Sequence, residues 1–309
     1  MIRDFRASDA SDLLRLLQAN FPEEEALSGT RPEGFLATVR RIYRWDARFV
    51  LGLLALFGRR IFRFLVIEED GHLVATTLLT LPARAGFVSM VVVDPAYRRR
   101  GLARTLVERA RAFSARAGRP YVALDVLEAN TPARTLYEAL GYRPLRELRR
   151  MAWEPDRGVP TARSPHVRPF RRADAAPLAE ILRRSAPPAV EEVLPVSARS
   201  IGGWGVARAL LSEEAGWVVD RGRGPEAYLS VVRSEATTAM HCSAPIVAES
   251  TDPNDVAALV GMGLSWCTAR GAPRVLAEVA VANARGRAAL EGGGFRDALA
   301  LWTLYRPSG

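Results

Sequence analysis

The stretch from Phe87 to Gly118 holds residues whose order could do chemistry: an apolar run, a proline, three arginines, a glycine. Val88, Met90, Val91, Val92 and Val93 read as a strand buried on both faces. Asp94 and Pro95 end it, because proline cannot donate to a strand ladder and restricts the residue before it. Arg98-Arg99-Arg100-Gly101-Leu102-Ala103 follows and opens a helix with Leu102, Leu106, Ala110 and Phe113 on one side. A glycine turn between strand and helix offers free backbone N–H groups, and the positive helix end, to an anion. The arginines, with Arg104 behind them, deepen that potential. Neither the dinucleotide fingerprint nor the Walker spacing is present, so these residues alone specify a phosphate cradle and no particular ligand.

The elements around this stretch must hold it in place. Before it, Met1 to Arg6 reads as a strand and Ser8 as the cap of a helix reaching about Gln18. Residues 20–58 read as irregular and helical. Phe62 to Glu68 and Leu73 to Leu81 read as strands joined across Glu69-Asp70-Gly71. After it come a strand from Tyr121 to Leu127, a helix from Pro132 to Leu140 ended by Gly141, and a closing strand from Tyr142 to Trp153. The order predicts an α/β fold: a mixed sheet with helices on both faces.

The pattern then repeats. Arg3-Asp-Phe-Arg-Ala-Ser-Asp9-Ala is echoed by Arg168-Pro-Phe-Arg-Arg-Ala-Asp174-Ala. Leu124 to Asn130, continuing to Gly141-Tyr142-Arg143, lines up 153 residues on with Ala277 to Asn283 and Gly294-Phe295-Arg296. The chain reads as a tandem duplication: a first copy over 1–153, a linker over 154–165 and a second copy over 166–309. At the same spacing, Arg98 to Ala103 falls on Thr251-Asp252-Pro253-Asn254-Asp255-Val256. There the glycine is gone and two aspartates would repel a phosphate. Val92 falls on Pro245 and Tyr137 on Leu290, so the second copy is expected to be degenerate.

Composition narrows the partners. The chain has 309 residues, 49% hydrophobic and 25% charged, which suits a soluble globular protein of two domains. All 43 basic side chains are arginine and the net charge is +9, which suits an anionic partner. No basic tract interleaved with aromatics accompanies that charge, so nucleic acid is not expected. Cys242 and Cys267 make no disulfide framework, and His72, His166 and His241 have no ligand spacing, so no metal is expected. The opening MIRDFRASDA lacks an apolar signal core. The longest apolar run, Phe49 to Phe57, is far short of the ~20 residues a spanning helix needs, so no membrane partner is expected. A cytoplasmic monomer or homodimer is the expectation.

Arg98-x-x-Gly101-x-Ala103 after the Val91-x-Val93-x-Pro95 strand resembles the pyrophosphate loop of the GNAT superfamily of N-acetyltransferases. Asn130, then Leu136-Tyr137-Glu138, then Gly141-Tyr142 is similar to that family's later motif. The resemblance covers Ile2 to Trp153 well and His166 to Arg306 as a weaker second copy. It implies that acetyl-CoA is the co-substrate, its pyrophosphate on the N–H groups of Arg99 to Arg104, with Gly101 leaving room for it. It implies that Val91, Val92 and Val93 splay from the neighbouring strand, bind the pantetheine amides and face the thioester oxygen. Asn130 would contact the cofactor or hold the strands apart; as a structural residue it would cap the next helix. Tyr137 stands where the family often has the acid that protonates the CoA thiolate; otherwise it is an aromatic in the core. Asp125 stands where some members carry a catalytic carboxylate, with Glu128 as the fallback; as a structural residue it is a hydrogen-bonded strand position. The implied function is acetyl transfer to a small-molecule amine or peptide acceptor. A non-catalytic acyl-CoA-binding or regulatory protein is the alternative, and an anionic-polymer binder is a more distant one.

Overall fold

The two copies begin with the same small device. In the computed structural model, Arg3 grips the Asp9 carboxylate with both Nη groups, at 2.7 and 2.9 Å. Arg168 grips Asp174 in the same way, at 2.8 Å twice. Each carboxylate also accepts a backbone N–H three residues back, from Arg6 and Arg171, at 2.7 Å. A bidentate, charge-assisted pair thus closes a single turn and launches a helix. Ser8 lies inside that turn, so the capping carboxylate is Asp9 rather than the expected serine. The structure describes residues 1–20, 62–82, 84–198, 201 and 212–309, with positions 26–27, 29, 31, 33–34 and 36–37. Most of the expected 20–58 region, including Phe49 to Phe57, lies outside them.

In the first copy, β1 (Ile2–Asp4), β2 (Phe62–Glu69), β3 (His72–Thr80), β4 (Ala85–Val93) and β5 (Tyr121–Leu127) lie side by side in chain order. Helix α1 (Ala10–Asn20) covers one face, packing Leu13 and Leu16 against Val66, Leu73 and Val92. Helices α2 (Leu102–Arg116) and α3 (Thr131–Ala139) cover the other, packing Val107, Ala110 and Tyr137 against Val88, Leu124 and Val126. Strand β6 (Arg143–Trp153) follows. The second copy runs β7 (Val167–Pro169), α4 (Ala175–Ser185), α5 (Pro188–Val193), β8 (Ser212–Asp220), β9 (Pro225–Ser234), β10 (Met240–Cys242) and β11 (Ile246–Val247). It continues through α6 (Pro253–Thr268), β12 (Val275–Ala280), α7 (Ala284–Gly292) and β13 (Arg296–Pro307).

The closing strands change places. The sheet runs β1-β2-β3-β4-β5-β13-β6-β12-β10-β9-β8-β7, with β11 on β9. The first copy's β6 therefore lies against β12 of the second, and the second copy's β13 lies against β5 of the first. The exchange is reciprocal to the residue. Thr303 stands opposite Asp125, and Arg150 stands opposite Glu278, each partner 153 residues from its counterpart. Where β6 and β13 pair with each other, the register skips Leu145 on one strand and Ala298 on the other, again 153 apart. Each core takes a piece of the other copy: Leu304 joins the first, while Met151 and the fully buried Trp153 join the second. Helices on both faces of one mixed sheet agree with the expected fold class; the exchange was not expected.

Candidate active site

The start of α2 is built to leave donors free. Gly101 caps it in the left-handed conformation, φ 76°, and has no side-chain oxygen to satisfy the first-turn N–H groups. A Cβ on Gly101 would meet nothing within 4 Å, so the backbone conformation demands glycine while the space beside the helix start stays open. Arg99 precedes it with φ 65°. The arginine side chains are exposed and tied back to the fold. Arg98 donates to Asn20 Oδ1 at 2.9 Å; Arg100 pairs with Glu69 at 3.0 Å and lies over the Tyr97 ring. Arg104 is exposed on the first turn, beside the half-buried Leu102 and Ala103. Asp94 is structural: it pairs with Arg15 at 2.7 Å and caps the Pro95–Tyr97 turn, and Arg15 foremost holds its carboxyl below the usual range.

Beside this helix start the sheet opens. β4 and β5 pair in parallel from Ala85 with Tyr121 to Val88 with Leu124, and the ladder stops there. Met90 has φ 54°, an outlier for an unbranched L-residue, and the β3–β4 register slips at that point. Val92 and Val93 then pair with Thr76 and Ala75 of β3. On its other edge β5 pairs with β13 along its whole length, from Tyr121 to Leu127. Among the described residues, the β5-facing edge at Val91, Val92 and Val93 has no strand neighbour. The bulge at Met90 was missed, because nothing in a methionine marks a left-handed residue.

Tyr137 is buried among Val107, Val126 and Tyr142, and burial pushes its hydroxyl up to about 12. Asn130 caps α3 through Oδ1, which accepts the Ala133 N–H at 3.2 Å. Glu128 is exposed on the turn after β5.

Asp125 points to the sheet face opposite Leu124 and Val126, hence away from α2 and α3. Burial pushes its carboxyl above the usual range. The Thr303 hydroxyl, donating to Oδ1 at 2.6 Å, pulls the other way. Glu278 adds to the rise, and Arg146 and Arg150 oppose it. Thr303 was not among the expected site residues, since a threonine in a strand carries no signal of its own.

The second copy closes both openings. β10 pairs with β12 one residue out of the β4–β5 register, so Pro245 corresponds to Val91 rather than Val92. Asn283 Nδ2 donates to the Pro245 carbonyl at 3.1 Å, bridging the gap that β4 and β5 leave open. A Cβ on Gly286 would sit 2.5 Å from that carbonyl, so α7 lies directly on it. Helix α6 starts at Pro253 with Asp252 as its cap, and Asp255 is buried in its first turn. Arg221 binds both carboxylates, at 3.0 and 2.7 Å. Cys242 and Cys267 are buried free thiols; burial pushes Cys267 up to about 12 and Cys242 higher still. Among the described residues, no group of three or more His, Cys, Asp or Glu is arranged to hold a metal ion. No described helix is long and apolar enough to cross a membrane.

Residues 17–142 match the acetyltransferase (GNAT) family. Among solved structures, a tandem GNAT protein from the clavulanic acid biosynthesis pathway superposes with a TM-score of 0.67 at 18% identity, covering 100% of this chain and 98% of that one. A GCN5-related N-acetyltransferase from Sphaerobacter thermophilus gives a TM-score of 0.66 at 17% identity, covering 100% and 95%. No curated protein matches the sequence. That family match lies within the first copy. The chain as a whole has the tandem GNAT fold.

Proposed function

We propose that the first copy moves the acetyl group of acetyl-CoA to an amine, and that the second copy binds no CoA. The observation that carries this reading is the pairing of two openings among the described residues: a helix start at Gly101 with no side-chain cap and an unpaired β4 edge beside it. The N–H groups of Arg99 to Arg104 suit a pyrophosphate, and the β4 edge at Val91 to Val93 suits amides that need strand-like partners. Asn130 repeats Asn283, which spans the matching gap of the second copy, and would border this one. Acetyl-CoA would supply an acyl group activated as a thioester.

The residues then divide the work. Asp125 accepts a proton from the acceptor nitrogen, directly or through water, which frees the lone pair for attack on the thioester carbon. An N–H of β4 beyond Val88 donates to the thioester oxygen as negative charge develops there. Tyr137 stays protonated at neutral pH, because its hydroxyl lies near 12, and gives its proton to the departing thiolate as the carbon–sulfur bond breaks. The buried acid, the buried base and the free donors support a direct transfer.

Calorimetric titration with acetyl-CoA, followed by CoA release with polyamines, aminoglycosides, amino acids and short peptides, tests the reading. Binding and turnover of one class are expected, and Tyr137→Phe should lower kcat by about 10²-fold or more with unchanged acetyl-CoA affinity. No binding would sink the proposal. Binding with no turnover of any amine would leave an acyl-CoA-binding protein instead.

A further inference from the structure

Thr303 sits between two charged groups that leave its hydroxyl one arrangement. Arg146 Nε lies 3.1 Å from Thr303 Oγ1, and a guanidinium can only donate. Oγ1 therefore accepts from Arg146 and must send its own proton elsewhere. The acceptor is Asp125 Oδ1, at 2.6 Å. Thr303 is fully buried, so no solvent competes for that proton. The chain Arg146 to Thr303 to Asp125 runs in one direction and ends on a carboxylate that must accept.

The counterpart position differs in kind. Opposite Glu278, where the second copy repeats Asp125, stands Arg150, which binds Glu278 Oε2 at 3.0 Å as an ion pair. An arginine there ties the acid up as a salt; a hydroxyl aligns it and leaves the charge available. The exchange of closing strands is what brings Thr303 to Asp125, across 178 residues of chain.

We infer that Thr303, supplied by the second copy, is the positioning residue for the first copy's base, with Arg146 fixing its hydroxyl as donor. The second copy thus completes the active site without binding CoA. The inference rests on reading Asp125 as the base. The charged groups that face Asp125 are Glu278 on β12 and Arg146 and Arg150 on β6.

Loss of the hydroxyl removes a hydrogen bond made to the ionised carboxylate, so the carboxyl should hold its proton to higher pH. The full chain labelled with carboxyl-¹³C aspartate reports this directly, with Asp125→Asn assigning the signal. Thr303→Val should move the Asp125 titration up by about one to two pH units. Thr303→Ser should stay near wild type. Arg146→Leu frees the hydroxyl to turn and also removes a positive charge that favours the carboxylate, so it should move the titration the same way. The acid limb of kcat/KM for the amine acceptor should follow, while acetyl-CoA affinity stays unchanged. A wild-type titration in Thr303→Val would overturn the inference, whatever Arg146→Leu does. Full turnover in Asp125→Asn would overturn the base reading instead, and the carboxyl titration separates the two failures.

Discussion

The starts of α2 and α6 occupy the same place in two copies of one fold and carry opposite charge. At α2, Gly101 offers no side chain to the first-turn N–H groups, and Arg100 leans away to Glu69 at the end of β2. At α6 the loop is wound into helix, and Asp252 and Asp255 supply carboxylates at the positive end. Arg221, the residue that repeats Glu69 after the matching β8 strand, neutralises them. The ion pair is kept and its sign reversed. A helix start whose donors no carboxylate of its own chain takes stays open to an outside anion, and one whose donors are taken becomes a structural joint. The gap beside each helix follows suit, open beyond Val88 and closed by Asn283 at Pro245.

The largest expected effect tests the helix starts. Gly101→Asp forces an L-residue into a left-handed conformation and puts a carboxylate where a pyrophosphate would bind. Acetyl-CoA affinity should fall by about 100-fold or more in calorimetry. Asp252→Asn and Asp255→Asn should leave that affinity unchanged; a loss there would reverse the assignment of the copies.

A smaller effect compares the two asparagines. Asn130 makes one capping bond, whereas Asn283 caps α7 through the Gly286 N–H and also holds the Pro245 carbonyl. Asn130→Ala should cost about 1 kcal/mol and Asn283→Ala about 2 kcal/mol, read as a larger drop in thermal midpoint for the second. Equal losses would mean the bridge to Pro245 contributes nothing.

The smallest concerns the paired acids. Burial raises the Asp125 carboxyl in the folded protein, so the native state holds that proton more tightly than the unfolded chain does. The associated stability is present at acid pH and lost as pH rises through the folded value. Asp125→Asn does not titrate, so its thermal midpoint relative to wild type should be higher at pH 7 than at pH 4. A difference independent of pH would remove the buried charge from the account.

What could be read from sequence was what local chemistry dictates. A glycine before an amphipathic helix and a proline after a valine run fix conformation within a few residues, and Gly101 and the β4 end stand where those residues require. The Arg3–Asp9 clamp explains why its motif recurs, because spacing and charge are both needed to close the turn. Strand partners are another matter. Alternation in β6 says which side chains share a face and nothing about which strand lies alongside, so the exchange with β13 was invisible. Thr303 reaches Asp125 only through that exchange, and Met90 adopts its bulge under pressure from the sheet rather than from its own type.

The exchanged strands also set a timetable for synthesis. When β5 leaves the ribosome its outer edge has no neighbour, and the residue that will hydrogen-bond Asp125 is 178 positions away. At roughly 5–20 residues per second, that edge waits about 10–35 s before β13 exists to cover it. Until then the outer edge of β5 can meet only β6 of its own copy or another chain.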